Sequence, residues 1–186
     1  QVAYLGITLS HPDWLVERWL ARLGFDDTER WLLFNNGVPA ACLRINPLQG
    51  PRERCLAALA AAGVSVAPAR WAAGALIVEA GDPQPVTAAG LACIQDEASQ
   101  LVAALVQAGP GDNVLDICAA PGGKTTAIAA RIKDDGLIVA CDVRPRRMRL
   151  LAETVRLSGA SAIRLASATQ RANTPFGLCF ETRSGS

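Results

Sequence analysis

One segment of the sequence joins a strand pattern, a glycine-containing turn and a helix pattern. Residues 114–118 are predicted as a strand, residues 119–123 as a tight loop and residues 124–133 as a helix. A second strand and a second helix are predicted at residues 137–142 and 145–158. Because strands that alternate with helices form parallel sheets, this order predicts the opening of a doubly wound α/β sheet. A third short strand is expected soon after the second helix.

The residues expected to bind a ligand lie in the turn and at the end of the second strand. Gly122 and Gly123 allow a ligand to approach the main chain closely, and the helix that follows presents free amides at its positive end. Asp142 ends the second strand, 19 residues after Gly123. This is close to the spacing at which an acid accepts hydrogen bonds from ribose hydroxyls in dinucleotide folds. The pattern therefore predicts a nucleoside-containing ligand.

Two nucleotide-phosphate motifs come close to this segment without matching it. A P-loop requires a glycine five positions before Gly123, where this sequence has Cys118. The G-x-G-x-x-G pattern of dinucleotide-binding turns is interrupted by Ala119 and Pro121. Two alternatives stay open at this point: a P-loop ATPase, which predicts ATP binding, and a turn whose glycines serve only the path of the chain.

Composition excludes several classes of protein and leaves the partner open. Of the 186 residues 51% are hydrophobic, which excludes disorder, and the formal net charge of +1 means that nucleic-acid binding must be argued from local patches. The longest uncharged stretch, residues 55–69, is too short to span a membrane, and we see no secretory signal. One histidine and six cysteines without C-x-x-C spacing argue against a metal site and favour a reducing, cytoplasmic compartment.

The first part of the chain has a different pattern, which predicts a small α+β unit over residues 1–85. Its predicted elements are helices at residues 10–23, 27–35 and 51–62 and strands at residues 41–46, 64–66 and 76–79. Ser10 is predicted to cap the first of these helices. The Pro- and Gly-containing stretch at residues 81–85 closes the unit, and another helix is predicted to begin near Asp96.

The turn itself is a specific motif. It consists of Cys118, Ala119, Ala120, Pro121, Gly122, Gly123, Lys124, Thr125 and Thr126, preceded by the run I-Q-D-E-A-S-Q at residues 94–100. It resembles the S-adenosylmethionine-binding signature of the Sun family of RNA (cytosine-5) methyltransferases. Residues 10–16, 34–36 and 43–46 resemble the segment that precedes the catalytic domain of that family. The resemblance covers roughly residues 9–165.

The resemblance implies a cofactor, a substrate and a fold. It implies that residues 118–124 wrap the methionine end of S-adenosylmethionine, that Asp142 holds its ribose hydroxyls, and that RNA, with ribosomal RNA favoured, is the substrate. It also implies an incomplete Rossmann-like methyltransferase sheet preceded by a small α+β domain. The expected divisions are residues 1–85, a pre-catalytic domain of RNA-binding type, residues 86–166, the first half of the methyltransferase domain, and residues 167–186, a divergent tail.

The catalytic groups of the family are not found by this comparison. Family members add a cysteine thiolate to carbon 6 of cytosine, using cysteines that follow a proline and a threonine. This sequence has neither a Pro-Cys nor a Thr-Cys pair, and Cys118 belongs to the cofactor loop. We therefore assign no catalytic residue, interpret Cys179 as an apolar tail residue, and expect the chain alone to lack turnover. A non-catalytic cofactor- or RNA-binding remnant of the family is the alternative.

Two features of the second half concern its surfaces. A basic run, opposed by Glu153, either binds RNA phosphates or forms a solvated helix face; it consists of Arg144, Arg146, Arg147, Arg149 and Arg156. The strand at residues 114–118 is apolar on both faces, as central strands are. Since only two or three strands are predicted beside it, we expect it to form an exposed apolar edge.

Overall fold

The computed structural model describes residues 1–170 and 178–182. The chain divides into two compact units, residues 1–39 and residues 40–186. The division predicted after residue 85 stays a prediction. Within the described residues, no helix has the length and apolarity that crossing a membrane requires.

The first unit is formed by three helices: α1 (Val2–Thr8), α2 (Asp13–Leu23) and α3 (Phe25–Asn35). One apolar side chain from each helix forms its core, and these are Leu5, Val16 and Leu32, each 0% exposed. Gly24, with φ of 76°, separates α2 from α3, as the predicted stop at this residue requires.

The predicted cap of α2 is wrong. Pro12 is the residue before the helix, and Ser10 lies in the preceding turn with φ of 57°. The amide of His11 donates to the carbonyl of Gly6, 2.9 Å away, so the end of α1 determines the path of the chain through Ser10. Helix α1 was not predicted, because its few residues show neither a capping residue nor a long amphipathic repeat.

The second unit begins with an antiparallel sheet. Its elements are β1 (Cys42–Ile45), a 3₁₀ turn (Pro47–Gln49), α4 (Arg52–Ala61), β2 (Ser65–Pro68), β3 (Leu76–Ala80), α5 (Gln84–Ala88) and β4 (Ala92–Ile94). The strand order is β2-β3-β1-β4. The three predicted strands are confirmed, whereas α5 and β4 were not predicted, and β4 joins this sheet beyond residue 85. Leu43, Leu59 and Leu76 are buried at the core of this part.

The remaining elements confirm the predicted parallel sheet. They are α6 (Glu97–Leu105), β5 (Asn113–Asp116), α7 (Gly123–Arg131), β6 (Leu137–Asp142), α8 (Pro145–Ser158), β7 (Ile163–Gln170) and β8 (Leu178–Thr182). The strand order is β5-β6-β7-β8, in which β5, β6 and β7 run parallel and β8 pairs with β7 in the antiparallel direction. Ile128, Ile138 and Leu151 are among the buried residues that join α7 and α8 to the sheet.

The expected exposed edge is also confirmed, because β5 is the first strand of this sheet. Leu115 is 58% exposed and Ile117, just beyond the strand, is 52% exposed. Among the described strands, β5 therefore pairs on one side only, and it carries exposed apolar side chains.

Two amide side chains join the antiparallel sheet to the end of α8. Asn46, which is 6% exposed, donates through Nδ2 to the carbonyl oxygens of Gly90 and Ser158, each 2.9 Å away. Gln49 donates through Nε2 to the carbonyl of Leu157 at 3.3 Å. The last carbonyls of a helix have no partner within it, so these side chains satisfy groups that burial would otherwise leave unpaired.

Asp134 fixes the chain between α7 and β6 to the start of β7. Its carboxylate accepts hydrogen bonds from the amides of Ser161 and Ala162 at 2.8 Å, and from the hydroxyl of Ser161 at 2.6 Å. Burial raises the pKa of Asp134, but these hydrogen bonds and the charge of Arg164 outweigh burial and hold the pKa below its usual value.

We expect a corresponding pH dependence of stability. Because the folded pKa lies below the unfolded value of about 3.9, the stabilisation is complete above that pH and is lost as the pH falls through the folded pKa. Asp134→Asn should therefore lower the free energy of unfolding at pH 7, and its difference from the wild type should shrink below about pH 4. Urea unfolding at several pH values measures this, with Asp135→Asn as the control. A difference that does not change with pH would contradict the assignment.

Candidate functional site

The turn after β5 is held by one carboxylate at the end of that strand. Asp116 accepts a hydrogen bond from the amide of Cys118 through Oδ1 at 3.2 Å. Its Oδ2 accepts a second from the hydroxyl of Thr125, on α7, at 2.7 Å. Asp116 therefore ties the beginning of the turn to the helix that follows it, in the manner of an Asx turn extended by one further contact.

Gly122 forms the tightest point of the turn and is the residue before α7. Its φ is 111°, and a Cβ at this position would lie 3.0 Å from side-chain carbons of both Leu151 and Thr154. Glycine is needed here for its backbone conformation and for the close approach of α8. Since this residue offers no capping side chain, the amides of the first turn of α7 remain available to a ligand.

Asp142 lies beside this turn, at the end of the neighbouring strand. The amide of Ala119 donates to the carbonyl of Cys141 at 2.9 Å, which brings the turn against the end of β6. Asp142 is 2% exposed, and its Oδ1 accepts a hydrogen bond from the amide of Arg144 at 3.0 Å. The structure therefore places the predicted acid at the predicted turn.

The other oxygen of Asp142 is buried, and no residue in the described part of the chain donates a hydrogen bond to it. The nearest charged group is Arg147, whose Nε lies 3.5 Å from Oδ2 and forms an ion pair without hydrogen-bond geometry. The same side chain donates to the carbonyl of Ala120 through Nη2. A buried carboxylate oxygen that lacks a donor is uncommon in folded proteins, and hydroxyl groups of a ligand would satisfy it.

The structure brings the eight predicted cofactor residues to one edge of the parallel sheet. Ala119, Ala120, Gly122 and Asp142 are buried, Gly123 is half-buried, and Cys118, Pro121 and Lys124 are exposed. The roles of Asp116, Thr125 and Arg147 were not predicted. The position of Asp116 at the end of a predicted strand could have indicated its role. Nothing in the basic run indicates that Arg147, unlike its neighbours, folds back onto the turn. Arg144, Arg146 and Arg149 are exposed.

The thiols differ in their surroundings. Burial raises the pKa of Cys42, Cys55, Cys93 and Cys141, so these thiols are held in the protonated form, which is a poor nucleophile. Near Cys93 the charge of Arg44 opposes this effect without overcoming it. Cys118 is exposed in the turn. The side chain of Cys179 lies outside the described residues.

Two family models match the chain. Residues 11–87 match a model described as "Methyltr_RsmF/B-like, ferredoxin-like domain". Residues 103–178 match a model described as "16S rRNA methyltransferase RsmB/F". The first match covers most of the three-helix unit and the antiparallel sheet, and the second covers the end of α6 and the parallel strands β5, β6 and β7 with the turn.

Comparisons with individual relatives and with a solved structure agree with the two family models. The chain is 32% identical over 169 residues to "Probable ribosomal RNA small subunit methyltransferase B" of Bacillus subtilis, covering 87% of this chain and 37% of that protein. It is 44% identical over 78 residues to "25S rRNA (cytosine-C(5))-methyltransferase NSUN5" of Arabidopsis thaliana, covering 42% of this chain and 14% of that protein. The solved structure described as "Crystal Structure of PH0851" superposes with a TM-score of 0.78 at 30% identity, covering 89% of this chain and 38% of that one. The chain thus spans just over a third of the Bacillus relative.

Proposed function

Because this chain belongs to the Sun family of RNA (cytosine-5) methyltransferases, we propose that it forms the donor-binding part of an enzyme that methylates ribosomal RNA. The observation that carries the proposal is the buried, unpartnered Oδ2 of Asp142 beside the glycine turn that begins α7. A carboxylate and a row of free amides at one edge of a parallel sheet suit a ligand with a ribose and an amino-acid end.

S-adenosylmethionine is the cofactor that this arrangement fits. Residues 118–124 would hold its methionine end, and Asp142 would accept hydrogen bonds from its ribose hydroxyls. S-adenosylmethionine bound there supplies a methyl group activated by its sulfonium. For a ribose to reach Oδ2, the side chain of Arg147, which is 39% exposed, must turn aside from the carboxylate.

Residues around the turn prepare the site without contacting a reacting atom. Asp116 and Thr125 fix the path of the main chain, and Gly122 allows α8 to approach it. Buried dipoles that are fixed before a ligand arrives need little reorganisation on binding. We assign no catalytic residue, since the four thiols with raised pKa values are poor nucleophiles and Cys118 belongs to the donor-binding turn.

The substrate follows from the family and from charge. Arg144, just before α8, and Arg146 and Arg149, on α8, are exposed. Their positive charges suit binding to RNA phosphates. Ribosomal RNA is proposed because the Bacillus and Arabidopsis relatives are described as ribosomal RNA methyltransferases. An RNA substrate and the free thiols of the five described cysteines together favour a cytoplasmic location.

Parallel calorimetric titrations of S-adenosylmethionine and ATP into the chain test the proposal. We expect S-adenosylmethionine to bind at one site and ATP not to bind, because the turn lacks the first glycine of a P-loop. Amide exchange with and without S-adenosylmethionine should show protection confined to residues 118–126 and the end of β6. Binding of ATP alone, binding of neither compound, or protection elsewhere would each contradict the proposal.

A further inference from the structure

Arg44, on β1 of the antiparallel sheet, reaches across to the donor-binding turn. Its Nε donates to Oε1 of Gln95 at 2.7 Å, and its Nη2 donates to the hydroxyl oxygen of Thr126 at 2.7 Å. These partners are 51 and 82 residues away along the chain. One guanidinium therefore connects β1, the segment before α6 and the first turn of α7.

The contact with Thr126 continues to the tightest point of the turn. Thr126 is 2% exposed, and its hydroxyl accepts from Arg44 while donating to the carbonyl of Gly122 at 2.9 Å. A hydroxyl has one proton, so while it accepts from the guanidinium it donates to the carbonyl of Gly122 or to that of Gly123, which is 3.3 Å away, and both residues belong to the turn. Charge-assisted hydrogen bonds are stronger than neutral ones, and bonds in a chain polarise one another. The position of Gly122 is thereby tied to the position of Arg44.

Gln95 supports the turn from another side. Gln95 is 7% exposed, and its backbone amide donates to the carbonyl of Cys42 at 2.9 Å. A Cβ added at Gly123 would lie 3.4 Å from the side-chain carbonyl carbon of Gln95. Its Nε2 is buried and has no hydrogen-bond acceptor among residues 1–170 and 178–182. Since Oε1 of Gln95 faces the guanidinium of Arg44, the hydrogen bond from Arg44 determines the orientation of the side-chain amide of Gln95. The packing of Gln95 on Gly123 thus also depends on Arg44.

We propose that Arg44 is a positioning residue for donor binding, through which the antiparallel sheet holds the shape of residues 118–124. That the ligand is S-adenosylmethionine rests on the proposed function, but the role of Arg44 in fixing the conformation of the turn does not. The role requires arginine, because its planar fork donates to two acceptors in fixed directions, whereas an ammonium group is a single point. It equally requires a hydroxyl at Thr126.

The test combines a double-mutant cycle with a measurement on the ligand-free protein. The variants are Arg44→Met, Thr126→Val and their combination, with Arg44→Lys and Thr126→Ser as conservative changes. Arg52→Met is the matched control, because Arg52 donates to the carbonyl of Gly74, which belongs to neither the turn nor α7. Calorimetry gives the affinity for S-adenosylmethionine, and hydrogen exchange gives the opening of each segment.

Arg44→Met should weaken S-adenosylmethionine binding about 10-fold, and Arg44→Lys should restore little of it, as a bidentate role requires. The double variant should be no weaker than the weaker single variant, because both changes remove one chain of contacts. Without ligand, amides of residues 118–127 should exchange faster in Arg44→Met while those of β6 stay unchanged. Arg52→Met should match the wild type in both measurements, and Thr126→Ser, which keeps the hydroxyl, should lose less affinity than Thr126→Val.

Three results would overturn the inference. They are wild-type exchange at residues 118–127 in Arg44→Met, full additivity in the double variant, and faster exchange throughout the parallel sheet. The last would show that Arg44 stabilises the unit as a whole and does not position the turn. If the wild type does not bind S-adenosylmethionine, the proposed function fails, and the exchange experiment still decides whether Arg44 holds the turn.

Discussion

Asp142→Asn should bind S-adenosylmethionine about 100-fold more weakly than the wild type, a loss of about 2.7 kcal/mol. The proposed contact is a hydrogen bond between a charged acceptor and a ribose hydroxyl at a site where Asp142 is 2% exposed. Hydrogen bonds to charged groups contribute about 1.5–3 kcal/mol each, and loss of the charge weakens every bond to this carboxyl group. Asparagine retains Oδ1 as an acceptor for the amide of Arg144, so the local backbone should be preserved.

Stability distinguishes a binding role of Asp142 from a structural one. The wild type buries an oxygen that lacks a hydrogen bond, and burying such a group costs free energy. Asparagine replaces the charged oxygen by a neutral amide, which removes the cost of burying a charge but also removes the ion pair with Arg147. Because these two effects oppose each other, the thermal midpoint of Asp142→Asn should stay close to that of the wild type while affinity falls. Asp142→Ala should lose affinity to a similar degree, and Asp135→Asn, with the same change in net charge, should bind normally. Affinity of Asp142→Asn within about 3-fold of the wild type, about 0.7 kcal/mol, would remove Asp142 from the proposed site.

The parallel half of the chain was the more predictable half. The bounds predicted for β6 and α8, residues 137–142 and 145–158, agree with the structure. In this half the strands are apolar runs, and Pro145 and Gly159 mark the ends of α8, so local sequence determines the elements. The same regularity placed Asp142 beside the turn, because parallel strands end at a common edge.

Elements that depend on partners far along the chain were missed. β4 has three residues and is held by pairing with β1, about fifty residues earlier, so no local pattern announces it. β8 was likewise not predicted, and among the described strands it pairs with β7. At the site, the contacts of Arg44 and Arg147 have the same origin, because their acceptors belong to other elements. Sequence spacing identifies which residues share an edge of a sheet, but not which long side chain folds back onto it.

The junction between the antiparallel sheet and α8 leads to the second large effect, which is on stability. Gly90 precedes β4 with φ of 74°, and a Cβ there would lie 2.1 Å from the carbonyl oxygen of Leu157. That contact is with backbone, so no side-chain rotation relieves it. The carbonyl of Leu157 also accepts from Gln49, and that of Gly90 accepts from Asn46. Separating the two backbones would therefore disturb buried hydrogen bonds as well as packing.

Gly90→Ala should lower the free energy of unfolding by about 2–4 kcal/mol, of which about 1 kcal/mol comes from the left-handed backbone and the rest from overpacking. For a chain of this size the thermal midpoint should fall by roughly 10 °C. Gly63→Ala is the matched control, because Gly63 has φ of 70° and no atom within 4 Å of the added Cβ. It should show only the backbone cost of about 1 kcal/mol. Equal losses in the two variants, measured by urea unfolding, would mean that the close approach of Gly90 to α8 does not hold the junction together.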